Sequence, residues 1–201
     1  MKEMKLKVKK LAMLFLCIMA FSLLVMGNPN IERKKPELIT IENIVPDTIS
    51  QRDSIVTQLI DEVDRYIKKQ SPKANKTIAE SIVKHGLNYD IDICFIMSQT
   101  QIETNFGVAG VGRESSRRSL FGVIKKKYSS YDASIEDYSK LLRKSYLVKG
   151  RTEHDLMKNY VTGGGYRYAS ATDYEVKLSK AYRIIVNRTN IEELQKQLEN
   201  V

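Results

Sequence analysis

Ile91-Asp-Ile-Cys-Phe-Ile-Met-Ser-Gln-Thr-Gln-Ile-Glu-Thr104 is the stretch that decides the fold. Its apolar residues, Ile91, Ile93, Cys94, Phe95, Ile96, Met97 and Ile102, fall on every side of a 3.6-residue helix instead of on one stripe. A helix that is apolar nearly all round must be enclosed by other elements. Asp90 stands where an N-cap is expected. The stretch therefore predicts a core helix with further helices packed about it.

Those partners are visible on both sides. Upstream, Ile55, Val56, Leu59, Ile60, Val63, Tyr66 and Ile67 recur at helical spacing behind Asp53 or Ser54 as a cap. Thr77-Ile-Ala-Glu80 has the capping-box pattern and opens a short helix stopping at Gly86. Downstream, Ser134-Ile-Glu-Asp137 opens a helix through Leu142, and Thr152-Glu-His-Asp155 a short one. Thr172-Asp-Tyr-Glu175 opens a terminal helix through about Asn187. Leu120–Lys127 is the best strand candidate. The expected class is mainly α, a helical domain over 54–201 with at most a small β-hairpin.

Ahead of it lie two segments of a different kind. Lys2, Lys5, Lys7, Lys9 and Lys10 precede the apolar run Leu11–Met26, the pattern of an export signal. Sixteen residues at 1.5 Å rise are marginal against about 30 Å of hydrocarbon, so 1–27 reads as a cleaved signal peptide or a membrane anchor through 11–26. Either way the lysines stay inside and the body is exported, to a periplasm, a cell envelope or the medium. Residues 28–53, with Pro29, Pro36 and Pro46, read as a linker.

Composition narrows the chemistry. Of the formal charge of +9, the chain beyond residue 27 keeps 28 basic against 23 acidic residues, too mild an excess to demand nucleic acid. Cys94 is the one thiol outside the apolar run, so there is no disulfide framework. His85 and His154 stand apart, and no CxxC or HExxH spacing occurs, so neither a metal nor a cofactor is expected.

Glu103 is the residue to single out. It closes the core helix in Gln101-Ile-Glu-Thr-Asn-Phe-Gly107. Apolar surroundings and the negative end of the helix dipole both disfavour an ionised carboxylate there. A carboxylic acid that keeps its proton is what protonation of a glycosidic oxygen requires. A solvated Glu at a frayed helix end is the plainer alternative. Tyrosine is the second anomaly: nine of eleven lie between Tyr128 and Tyr182, and there is no Trp. Tyr166 and Tyr168, just after Gly163-Gly-Gly165, offer flat faces with polar tips suited to sugar rings. Arg113, Arg117, Arg118 and Lys125–Lys127 form a basic cluster, read as a solvated loop face.

Four segments, in order, resemble the glucosaminidase domain of glycoside hydrolase family 73. Phe95-Ile-Met-Ser-Gln-Thr-Gln-Ile-Glu-Thr-Asn-Phe-Gly107 is similar to its Gln-x-x-x-Glu-Thr/Ser-x-Trp-Gly helix end, and Ser119-Leu-Phe-Gly-Val123 to its Asn-Leu-Phe-Gly turn. Tyr131-Asp-Ala-Ser-Ile-Glu-Asp-Tyr138 and Tyr168-Ala-Ser-Ala-Thr-Asp-Tyr-Glu-Val-Lys-Leu178 resemble its two tyrosine segments. The resemblance spans roughly 54–187. It implies a lysozyme-like helical fold with a cleft, and cleavage of the β-1,4 bond between N-acetylglucosamine and N-acetylmuramic acid in peptidoglycan strands. By position, Glu103 is then the general acid and Tyr168 a catalytic tyrosine holding the substrate's N-acetyl group or a water. Phe106, Phe121, Tyr131, Tyr166 and Tyr174 are the implied substrate-binding residues.

Two departures matter. Phe106 replaces the family's Trp. The stretch from Phe121 to Tyr131 is short and offers Lys125-Lys-Lys127 where many members present a second acid, which favours substrate-assisted attack or a tyrosine-held water over a two-carboxylate route. Asp132, Glu136 and Asp137 are the nearest carboxylates, the last two read as helix-start residues. The competing readings are a lytic transglycosylase and a catalytically silent wall-binding protein.

Overall fold

The computed structural model describes residues 45–201 apart from residue 124 and residues 159–172. The expected leader, and the linker up to residue 44, lie outside the described residues. Seven α-helices follow one another: α1 (Val45–Gln70), α2 (Thr77–Asn88), α3 (Ile93–Thr104), α4 (Tyr131–Leu141), α5 (Glu153–Leu156), α6 (Tyr174–Val186) and α7 (Ile191–Glu199). A 3-10 turn (Gly110–Arg113) follows α3, and a π turn (Leu142–Tyr146) continues α4. Among the described residues there is no strand, and the domain is all helical.

The core helix is α3. It packs on α2, α6 and α7, while α1 closes over α2 and α7, and α4 lies along α2. Ile93, Cys94, Phe95, Ile96 and Met97 are all fully buried, each large side chain worth roughly 1.5–3 kcal/mol of transfer free energy. Its buried hydroxyls bond within the helix, Ser98 Oγ to Cys94 O at 2.6 Å and Thr100 Oγ1 to Ile96 O at 2.8 Å. Enclosing polar side chains in a core is costly unless they are satisfied in this way.

Helix starts differ from the sequence expectation where another partner claims the expected cap. Asp92, not Asp90, caps α3, accepting from Cys94 N at 2.7 Å and Phe95 N at 3.3 Å. Ile91 N still bonds back to Gly86 O, and Asp90, at φ +51°, turns out to an ion pair with Arg143. Thr77 is the first residue of α2; its backbone N–H and hydroxyl both bond Asn75 Oδ1 and form no capping box. Ser130 caps α4, because the expected opener Ser134 is buried and accepts from Leu120 N. Thr152 and Asp155 do form the expected capping box on α5. Asp173 precedes α6 without a side-chain cap bond; Thr172 lies outside the described residues.

Three further differences concern extent. α1 begins at Val45, well before Asp53; Pro46 sits in its first turn, where a missing N–H breaks no helical bond, and 51–54 are exposed, leaving no apolar periodicity there. α2 runs through Gly86 to Asn88. A Cβ at Gly86 would meet Ile93 Cγ1 at 2.8 Å, so this glycine lets α2 approach α3 closely instead of ending a helix. The described residues of the strand candidate 120–127 form no strand: Leu120 is buried but Val123 and Lys125–Lys127 are exposed, so no face alternates among them, and Val123 N folds back onto Ser119 Oγ at 3.0 Å.

Candidate active site

The chain reverses sharply after Glu103. Asn105, Phe106 and Gly107 have φ of +47°, +56° and +82°. Asn and Gly accept the left-handed region readily, whereas Phe106 carries a strain of roughly 1–3 kcal/mol. Burial offsets it. Phe106 is fully buried, with its ring edge-on to Tyr66 at a centroid distance of 6.3 Å. That corrects the expectation that Phe106 meets substrate: it is a core residue holding the turn behind Glu103. Thr104 Oγ1 accepts from Gly107 N at 3.1 Å and donates to Leu120 O at 2.9 Å, and Ser71 Oγ donates to Asn105 O at 3.1 Å.

Glu103 itself is half-buried, next to last in α3. Tyr174, the first residue of α6, donates its hydroxyl to Glu103 Oε1 at 2.7 Å, and the Tyr174 hydroxyl oxygen lies 2.6 Å from Gln99 Oε1. Gln99 and Glu103 are one helical turn apart and share a face. On the other side stands the Leu120-Phe-Gly122 turn. Gly122 has φ +68°, and a Cβ there would lie 2.6 Å from Glu103 Oε2, so only a glycine leaves the carboxylate its place.

The remaining expected residues fall into three groups. Phe121 is half-buried and stacks on Tyr138, centroids 3.7 Å apart and planes within 11°. Tyr131 opens α4, and its hydroxyl donates to Gly112 O at 3.1 Å. Tyr166 and Tyr168 lie outside the described residues. Glu103, Tyr174 and the Phe121–Gly122 turn are thus brought together. Gln99 and Tyr138 are additions; both stand inside the quoted motifs, Gln99 four residues before the acid.

The neighbouring carboxylates are engaged elsewhere. Asp132 Oδ1 lies 2.9 Å from His85 Nε2 and 3.3 Å from Lys84 Nζ. Burial alone would raise its pKa, but hydrogen bonds from His85, Lys84 and Ser81 together hold it below the ordinary value. Asp137 is lowered first by its bond from Lys126 and also accepts from Tyr128 at 2.8 Å. Glu136 is exposed. At the far end of α3, about 16 Å away at 1.5 Å per residue, a cavity of about 670 Å³ is lined by Leu87, Asp92, Arg143, Glu153, Glu192 and Gln195 among others. It does not reach Glu103. There the Tyr182 hydroxyl lies 2.5 Å from Asp92 Oδ2 and 2.8 Å from Glu192 Oε1.

Among the described residues, no cluster of His, Cys, Asp and Glu is arranged to hold a metal ion, and no helix is long and apolar enough to cross a membrane. Compared with protein-family models and with curated proteins, the sequence matches none.

Proposed function

We propose that this chain is a glycosidase that cleaves the β-1,4 bond between N-acetylglucosamine and N-acetylmuramic acid in peptidoglycan strands, with Glu103 as general acid. The observation that carries the reading is a half-buried carboxyl fixed between a phenol and a bare glycine backbone, at the end of the helix whose motif resembles the family's. Glu103 gives its proton to the glycosidic oxygen as the C–O bond breaks. Asp132 and Asp137 are held by His85, Lys84, Lys126 and Tyr128, which favours the substrate's own acetamido oxygen as the group that attacks the anomeric carbon. Water then opens the oxazolinium and returns a proton to the Glu103 carboxylate. Tyr168, by resemblance, orients the acetamido group or the water. The reading includes a lysozyme-like arrangement of the helices, and export through residues 1–27, whether cleaved or kept as an anchor.

Digestion of purified peptidoglycan, borohydride reduction and mass spectrometry test it. N-acetylglucosaminitol at new chain ends supports the reading, and Glu103→Gln should suppress those ends by at least about a hundredfold, the scale of general acid catalysis. Muramic ends would reassign the bond that is cut, and 1,6-anhydro ends would make the enzyme a transglycosylase. A folded protein that sediments with the wall and makes no ends would be a binding module.

A further inference from the structure

The loop between Gly112 and Tyr128 holds Arg113, Arg117, Arg118, Lys125, Lys126 and Lys127 against a single acid, Glu114. Two of these cations are paired, Arg117 with Glu114 at 2.6 Å and Lys126 with Asp137 at 2.7 Å. Among the described residues Arg113, Arg118, Lys125 and Lys127 make no ion pair. Arg118 Nη1 donates to Ser129 O at 2.9 Å, which fixes the guanidinium without neutralising it.

The loop is also pinned beside the candidate acid. Tyr128 N bonds Arg117 O at 2.9 Å, Leu120 N bonds Ser134 Oγ at 3.1 Å, and Gly122 presses its backbone on Glu103 Oε2. With successive Cα atoms about 3.8 Å apart, the Cα of Lys125 stands no more than about 11 Å from that of Gly122. That is about one Debye length at 0.1 M salt, so the charge of Lys125 is only partly screened from a ligand lying against the Gly122 turn.

We propose that Arg113, Arg118, Lys125 and Lys127 form a binding surface for carboxylates along a glycan strand, and that they make the site prefer an anionic strand to a neutral one. This rests on the reading of Glu103 above and adds the charge of the substrate to it. Muramic acid carries a lactyl carboxyl or a peptide stem ending in one, whereas a strand of N-acetylglucosamine alone carries none. Arg113, Lys125 and Lys127 are exposed and, among the described residues, make no ion pair; such cations on an anchored loop can supply this discrimination at little cost in strain, because they need no buried partner.

The test is a binding titration of the Glu103→Gln protein, so that nothing is cut, with two soluble oligomers of equal length. One contains muramic acid with free carboxyls and the other is a chitin oligomer. At low salt the anionic oligomer should bind at least about tenfold more tightly, and about 0.5 M salt should remove most of that advantage. Lys125→Glu with Lys127→Glu should abolish it. Lys144→Glu with Lys196→Glu, the same change of charge at exposed lysines on other elements, should preserve it. Methyl-esterifying the oligomer, which leaves the protein untouched, must also abolish it. Equal affinity for the two oligomers at low salt, or equal losses in both charge-reversal variants, would overturn the proposal. The readout needs no turnover: preference without new chain ends would sink the glycosidase and keep the surface, and new ends without preference would do the reverse.

Discussion

The hydroxyl of Tyr174 meets Oε1 of Glu103 at 2.7 Å across the packing of α6 on α3. This one contact ties the candidate acid to a helix that begins 71 residues later. The polar tip of Tyr174 is thus bonded to protein, by Glu103 and Gln99.

Tyr174→Phe keeps the ring and removes that bond. A hydrogen bond to a chargeable group is worth about 1.5–3 kcal/mol, so turnover should fall about ten- to a hundredfold, with KM nearly unchanged. Steady-state kinetics on solubilised strands separate the two. A rise in KM at constant kcat would make Tyr174 a substrate contact instead.

Gly122→Ala tests the other side of the carboxylate. The added methyl faces Glu103 Oε2 at 2.6 Å, and the left-handed backbone costs an L-residue about 1–2 kcal/mol. Activity should drop at least about tenfold while the fold survives a few degrees of lost melting temperature. Full activity would mean that the turn does not set the position of the acid.

Gly86→Ala reverses an ordinary expectation. In an exposed helix this change stabilises by up to about 1 kcal/mol. Here the new Cβ would sit 2.8 Å from Ile93 Cγ1 and 3.3 Å from Ile91 O, so α2 and α3 must separate and the melting temperature should fall. A thermal melt decides the sign.

Asp132 is held by His85 and Lys84, and its substitution should be felt in stability and not in turnover. Its folded pKa is lowered, so its contribution is present above the unfolded value near 4 and is lost as pH falls through the folded one. Asp132→Asn should therefore melt below the wild type at pH 7, and the gap should close on acidification below about 4. The variant keeps its turnover. A hundredfold loss of turnover at unchanged melting temperature would make Asp132 the base.

Asp92 carries the opposite sign. Burial first, then the charge of Glu153, pushes its pKa up, so ionising it on folding costs stability as pH rises from about 4. Asp92→Asn keeps a capping oxygen for Cys94 N and Phe95 N. It should melt above the wild type at pH 7 and approach it at pH 4.

The core was legible because Ile93–Met97 leave no polar face on the first part of α3, a statement local to five residues. Helix starts were less so. Asp90, Thr77 and Ser134 all carry good capping chemistry, but Arg143, Asn75 and Leu120 N claim it, and two of those partners are distant in sequence. α7 could have been found, since Ile191, Leu194 and Leu198 recur on one face and are buried; the polar run Asn187–Asn190 hid its start. At the site, Gln99 was readable from its four-residue spacing to Glu103. The fit of Gly122 against Glu103 was not, because it depends on a chain reversal through a left-handed Phe106, which no local preference favours.

That reversal also sets how much chain each contact must close. It brings Gly122 to Glu103 after 19 residues, whereas Tyr174 arrives from 71 away, and closing the longer loop costs about 1.2 kcal/mol more in chain entropy. The shorter closure favours the meeting of the carboxyl with its backbone neighbour by that amount, whereas the phenol comes only with the docking of α6. The candidate acid thus has both of its neighbours only once the last quarter of the chain, which carries Tyr174, is in place.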